Sequence, residues 1–410
     1  MCSANPLVLR ASVIEAREHQ FPLLIESTCN QVNQFGGYTG MDPKTFVTFV
    51  KSIAEENHLP ESQLFLGGDH IGPSVWKGEP SASALDKSLE LVRQYVRAGY
   101  KKIHFDASMP CADDPDPLPA ETISAREALL CAAVVEECEY IGADIKDMVF
   151  VVGTEVPTPG GTTKNEDYLA VSSVVETQDN IEHTRKAFFE RGLTIAWEQT
   201  CAFVVQPGVE FSDSIIHSYD SENAKQLSSL IENYPNLIYE AHSTDYQTPD
   251  LLKAMVRDHY AILKVGPALT FALREGIFAL ESIERELLGN RGIILSNVSG
   301  VLDKVMCAQP DYWKNYYPSD LPLAAIQRKF SFLDRSRYYW ANQEVNNSVD
   351  LLIDNLSNQP IALSLLSQFL PLQYGKIRMG ALENSPLDLL NSCVSMVIAD
   401  YIYACGLGSE

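Results

Sequence analysis

Paired cysteines, basic side chains and long apolar runs are all scarce in this 410-residue chain. Its nine cysteines are an odd number and are scattered without any Cys-x-x-Cys pair. That pattern reads as reduced thiols and argues against a zinc ribbon or a disulfide framework. No uninterrupted apolar run approaches the ~18 residues of a membrane span, so no membrane partner is expected. Met1-Cys2-Ser3-Ala4-Asn5-Pro6 lacks the charged segment and apolar core of a signal peptide, which makes a cytoplasmic location the expectation. Only 31 basic side chains stand against 54 acidic ones, a net charge of −23 that repels nucleic acid and anionic membranes. A phosphorylated sugar meets the same field and needs a local basic cluster or helix amino termini to bind. At 46% hydrophobic residues, the chain has material for a large core.

What is present, repeatedly, is an apolar strand that ends in polar and ionisable residues. Leu64-Phe65-Leu66 runs into Gly67-Gly68-Asp69-His70, and Lys102-Ile103-His104-Phe105 into Asp106-Ala107-Ser108. Val151-Val152-Gly153-Thr154 ends in Glu155, and Leu237-Ile238-Tyr239 continues as Glu240-Ala241-His242-Ser243-Thr244-Asp245. Hydrophobic periodicity alternates between short strands and helices up to about residue 287. The strands read as Leu23–Glu26, Leu64–Gly67, Lys102–Asp106, Val149–Glu155, Phe203–Gln206, Leu237–Ala241 and Ala261–Val265. The pattern predicts an α/β protein: a (β/α)₈ TIM barrel over 1–290, with Met1–Asn5 as the stub of a truncated first strand. An open parallel sheet is the alternative. Residues 291–410 read as a helical, aromatic-rich carboxyl-terminal extension packed on the barrel or on a partner chain.

Polar strand ends at the carboxyl face of a barrel are where such folds build active sites. His70 and His242 with the carboxylate of Glu155, from separate strands, suit a divalent ion such as zinc, manganese or nickel, with open positions for substrate oxygens. Asp69 beside His70 is a candidate acid/base or orienting group, and Gln206 a candidate to complete the metal shell. His104, Asp106 and Ser108 alternate on one strand and share a face, where they either meet a sugar or form a polar layer in the core.

Longer strings carry a resemblance. Asn30 to Met41 (NQVNQFGGYTGM), Gly67 to Pro73 (GGDHIGP), His104 to Met109 (HFDASM), Gly153 to Pro157 (GTEVP), Val205 to Phe211 (VQPGVEF), Tyr239 to Thr248 (YEAHSTDYQT) and Leu263 to Glu275 (LKVGPALTFALRE) resemble the GatZ/KbaZ subunit of D-tagatose-1,6-bisphosphate aldolase over essentially the whole chain. This family is similar, at a distance, to the zinc-dependent class II ketose-bisphosphate aldolases. The resemblance implies a subunit that supports a catalytic GatY/KbaY partner. Some relatives imply instead a metal-dependent epimerase interconverting D-fructose and D-tagatose. It places Asp69 as proton carrier, His70, Glu155 and His242 as metal ligands, and Asn33, His104, Asp106, Ser108, Gln206 and Asp245 around a ketohexose or ketohexose phosphate. Glu155 also stands as a second candidate catalytic carboxylate. Self-association of the chain is a further expectation. Where the class II enzymes have a third histidine ligand and a phosphate-binding Asn-Val-Asp-Thr run, this chain has Gln206-Pro207-Gly208-Val209-Glu210 and Gly266-Pro267-Ala268-Leu269.

Overall fold

The computed structural model describes residues 1–153, 169–318 and 320–407. Its strands are β1 (Leu23–Thr28), β2 (Leu64–Ile71), β3 (Lys102–Phe105), β4 (Val149–Val152), β5 (Thr200–Val204), β6 (Glu210–Phe211), β7 (Ile216–His217), β8 (Ile238–Ala241) and β9 (Tyr260–Leu263). Seven of them form one parallel sheet in the order β1-β2-β3-β4-β5-β8-β9, while β6 and β7 pair antiparallel beside it. Each neighbour in the sheet is the next sheet strand in sequence, with helices in the crossovers, which is the arrangement of a singly wound sheet.

The sheet is curled. Laid flat, seven strands would hold β1 and β9 about 29 Å apart at the usual spacing. Instead the Lys264 ammonium, just beyond β9, contacts the Glu26 carboxylate of β1. The expected eighth strand is reduced to a bridge between Cys2 and Glu26. Glu26 N–H donates to the Met1 carbonyl at 2.9 Å, and Cys2 N–H to the Val265 carbonyl at 2.8 Å. The sheet is therefore seven full strands and a two-residue contact, which agrees with the seven strands and the Met1–Asn5 stub read from the sequence.

Local chemistry explains the element ends. Asn5 caps Pro6–His19 by accepting from the N–H groups of Leu7 and Val8, with Pro6 at the first turn. β5 stops at Val204, short of the predicted Gln206, because Pro207 has no N–H to give and the Gln206 amide oxygen accepts from Gly208 and Val209 N–H. The described part of β4 ends at Val152, and Glu155 lies outside the described residues.

Fifteen α-helices are present among the described residues. Beyond the sheet the chain is helical as expected, but with more elements than periodicity resolves: Val298–Ala308, Leu321–Phe330 and Pro371–Arg378 join the helices Gln343–Ser357, Leu363–Phe369 and Pro386–Cys405. Pro386–Cys405 is long and apolar enough, by length and composition, to cross a membrane. It packs on Pro267–Leu288, Pro6–His19 and Pro249–Arg257 and buries Leu389, Leu390 and Val394, so it serves as a core helix of this fold.

Glu127, on the helix Ala120–Ile141, is completely buried. It accepts from Gly153 N–H at 3.2 Å and the Thr184 hydroxyl at 3.1 Å. Burial pushes its carboxyl up to about 8. An unfolded glutamate ionises near ~4.3. Its contribution to stability is therefore fully present below that pH and is lost as pH rises towards about 8. Glu127→Gln removes the titration. Melting curves from pH 5 to 9 should show the variant gaining on the parent as pH rises, by on the order of 4 kcal/mol at the alkaline end. Parallel pH profiles would refute this assignment.

Candidate metal centre

The site rests on a buried layer of charge. Glu26 on β1, Lys102 on β3, Glu240 on β8 and Lys264 beyond β9 all point into the space enclosed by the curl, where their side chains meet. Lys102 Nζ lies 2.6 Å from both Glu26 Oε1 and Glu240 Oε2. Lys264 Nζ contacts Glu26 Oε2 and lies 3.0 Å from Asp69 Oδ1 and 3.8 Å from Glu240 Oε1. Gly67 makes the layer possible: a Cβ there would sit 2.6 Å from Glu26 Oε1 and 2.8 Å from its Cγ.

Above this layer three imidazoles gather. The ring centroids of His70, His104 and His242 are 4.7 to 5.1 Å apart. Asp69 and His70 are adjacent, and a regular strand would send them to opposite faces. The β2–β3 register shifts between Gly68 and Ile71, and His70 adopts a left-handed φ of 50°. That irregularity brings both side chains into one centre. Ser243, directly after His242, has a φ of 54°. Strained backbone of this kind persists where surrounding structure over-determines it, often at functional sites.

Carboxylates set the imidazole tautomers. His70 Nδ1 lies 2.8 Å from Asp106 Oδ2 and donates to it; His242 Nε2 lies 3.0 Å from Glu240 Oε1 and donates in turn. The remaining nitrogens, His70 Nε2 and His242 Nδ1, then face each other at 3.1 Å with their lone pairs opposed. Such a pair needs a proton or a cation between its members. His104 Nδ1 lies 2.9 Å from Asp69 Oδ1, and His104 Nε2 is buried with no hydrogen-bond partner. Asp69, His70, His104 and His242 each offer an atom within 4.8 Å of the others, a donor set with the composition to hold a metal ion. Formal charge agrees: four carboxylates (Glu26, Asp69, Asp106, Glu240) face two ammonium groups (Lys102, Lys264), an excess that one divalent cation balances.

The electrostatics follow from this crowding. Burial pushes the Asp69 and Glu240 carboxyls up, but the lysines and histidines outweigh it and hold both well below the usual range. Burial lowers His242 to about 4, whereas Asp69 and Asp106 outweigh burial at His70 and raise it. A single proton in the pair therefore resides on His70.

A cleft opens onto the centre, lined by Asp69, His70, His242, Lys264, Ser243 and Asp245. Of the residues expected at the site, Asp69, His70, His104 and His242 come together. Asp106 is bonded to His70, and Ser108 to Asp106 at 2.6 Å, so both stand behind the imidazoles. Asp245 lines the cleft and accepts from Gly266 and Ala268 N–H at the start of Pro267–Leu288. Asn33 spends its amide on its own loop, through Cys29, Phe35 and Gly37. Gln206 likewise caps its own turn, its amide oxygen accepting from Gly208 and Val209 N–H. Glu155 lies outside the described residues. Sequence reasoning missed the charge layer and the contribution of Tyr38, Arg337 and Tyr338 to the cleft wall. A charged residue inside each of several apolar strands was the available signal for the former; nothing local marks the latter.

A curled parallel α/β sheet carrying a buried carboxylate–imidazole cluster at its carboxyl edge defines the class: an α/β protein with a donor set that could hold a metal ion. The pattern of the D-tagatose-1,6-bisphosphate aldolase subunit GatZ/KbaZ-like family matches residues 1–406, and the chain belongs to that family. A solved structure titled "Crystal structure of a probable tagatose 6 phosphate kinase", from Sinorhizobium meliloti, is similar at 38% identity and a TM-score of 0.90, covering 98% of each chain. Two distant likenesses are a fructose-bisphosphate aldolase from Campylobacter jejuni (12% identity, TM-score 0.43, 85% of this chain and 88% of that one) and the fructuronate-tagaturonate epimerase UxaE from Cohnella laeviribosi (11%, 0.44, 99% and 80%). At such scores the likeness carries no inference about chemistry.

Two outcomes are expected here. Manganese, nickel or zinc at 100 times its dissociation constant should stabilise the parent by about 2.7 kcal/mol, and His70→Ala and His242→Ala should abolish the effect in thermal melts and metal analysis. Lys264→Met leaves buried carboxylates unpaired and should cost about 3–5 kcal/mol in chemical denaturation. A loss below 1 kcal/mol would contradict the charge-layer account.

Proposed function

We propose that the chain performs metal-dependent chemistry on a ketohexose or ketohexose phosphate, epimerising it at C4 by breaking and remaking the C3–C4 bond. The observation that carries this reading is the opposed pair of lone pairs on His70 and His242, each fixed by its own carboxylate and open to a cleft. A divalent ion held by His70, His242 and His104 would supply Lewis-acid polarisation of sugar oxygens. Asp69, kept ionised by Lys264, accepts the proton of the C4 hydroxyl as the C3–C4 bond breaks to an aldehyde and an enediolate. The enediolate adds back to the opposite face of the aldehyde, and Asp69 returns the proton to O4. Asp106 and Glu240 act through the imidazoles by fixing their tautomers.

The family description favours a second reading, in which the chain is the supporting subunit of a GatY/KbaY-type catalytic partner. Both readings go with a cytoplasmic location, closure of the sheet into a barrel by Met1–Cys2, a barrel unit over 1–290 with a helical extension over 291–410, and self-association of the chain.

The chain purified alone and supplied with manganese, nickel or zinc should interconvert D-fructose and D-tagatose. Asp69→Asn should lose at least ~100-fold in turnover while still taking up metal, as expected for a proton carrier. A parent that binds metal but turns over no ketohexose, yet copurifies with and stabilises a catalytic aldolase subunit, would replace the first reading with the second.

A further inference from the structure

The cleft that contains the histidines is lined in part by the distant carboxyl-terminal segment, through Arg337 and Tyr338. Arg337 also lines an adjoining cavity of about 250 Å³ together with Trp340 and Asn346. Its guanidinium donates to the Leu333 and Asp334 carbonyls and to the Tyr338 hydroxyl at 3.0 Å. No carboxylate stands within ion-pair distance of it among the described residues. The contrast is with Arg126, Arg274 and Arg328, which pair with Asp114, Asp334 and Asp303. Arg335 adds a second unneutralised charge. It lies 4.5 Å above the Tyr338 ring, as Arg337 does, and its Nη1 is buried without a partner.

A chain with a net charge of −23 has carboxylates in excess, so a guanidinium without an ion-pair partner in the lining of a cleft is a costly arrangement unless an anion completes it. A second, independent observation lies in the adjoining cavity. Trp340 is 5% exposed, lines that cavity, and its Nε1–H finds no acceptor. Asp245, by contrast, occupies the amino terminus of Pro267–Leu288 by accepting from Gly266 and Ala268, which removes the other ready anion site of the cleft.

We propose that Arg337, with Tyr338 and Trp340, forms an anion subsite that takes the phosphate or carboxylate group of a sugar whose reacting carbons lie at the histidine centre. This rests on the sugar-chemistry reading of that centre and adds to it the residues that hold the anionic end of the sugar. Guanidinium recognition of phosphate or carboxylate is charge-assisted and can be bidentate, which suits this position.

The test is calorimetric titration with D-tagatose, D-tagatose 6-phosphate and D-tagaturonate, with and without manganese. The parent is expected to bind an anionic sugar at least ten times more tightly than D-tagatose. Preference for the phosphate assigns the subsite to a phosphoryl group, and preference for the uronate to a carboxylate. Arg337→Met should remove the preference and Arg337→Lys retain part of it, with manganese uptake unchanged. Should Arg337→Met fail to fold, Trp340→Phe and displacement of the sugar by inorganic phosphate from the parent decide the matter. Equal binding of neutral and anionic sugars by the parent overturns the proposal. A metal centre that fails leaves the Arg337-dependent anion preference measurable in chelator, so the two failures are separable.

Discussion

The Lys264 ammonium is the point on which this structure turns. It comes from the end of the last sheet strand and meets Glu26 of the first, Asp69 of the second and Glu240 of the eighth. Three carboxylates around one buried cation can be satisfied only if the sheet curls far enough to bring its two edges together. The same contact that shapes the sheet holds Asp69 ionised beneath the imidazoles. Buried ion pairs of this kind add little net stability over a well-packed apolar core, yet removing one partner is expensive. Their effect is to reject arrangements that leave a charge alone. Gly67, with no Cβ to occupy the space of the Glu26 side chain, is the small steric concession that lets the layer close.

Function grows out of the same imbalance. Two ammonium groups do not neutralise four carboxylates, and the excess lies directly beside three histidines. Asp106 and Glu240 take one proton-bearing nitrogen each from His70 and His242, leaving the other two face to face. The centre thus needs a proton or a cation between the two imidazoles.

The carboxyl-terminal helices are more than a cover. In an acidic chain they deliver Arg337 to the lining of the cleft that holds His70 and His242, where its guanidinium donates to backbone carbonyls and to the Tyr338 hydroxyl. The Tyr338 ring lies 4.5 Å from both guanidinium groups, with Tyr312 stacked on it and Tyr38 meeting it edge-on.

By itself the sequence determined the α/β rhythm, the helix Pro6–His19 and its cap, and the polar strand endings that contain Asp69, His70, His104 and His242. These are local matters: periodicity, capping side chains and strand ends are set by residues close in the chain. The bulge that turns Asp69 and His70 to the same side was decided by packing against β3, which no spacing announces. So was the return of Asn33 and Gln206 to their own loops, where nearby N–H groups claimed their amides. Lys264 on Glu26, 238 residues away, and Arg337 in one cleft lining with His70 are meetings of distant segments. Only the tertiary structure could decide them, because a buried charge chooses its partners by where the folded chain leaves an opposite charge within reach.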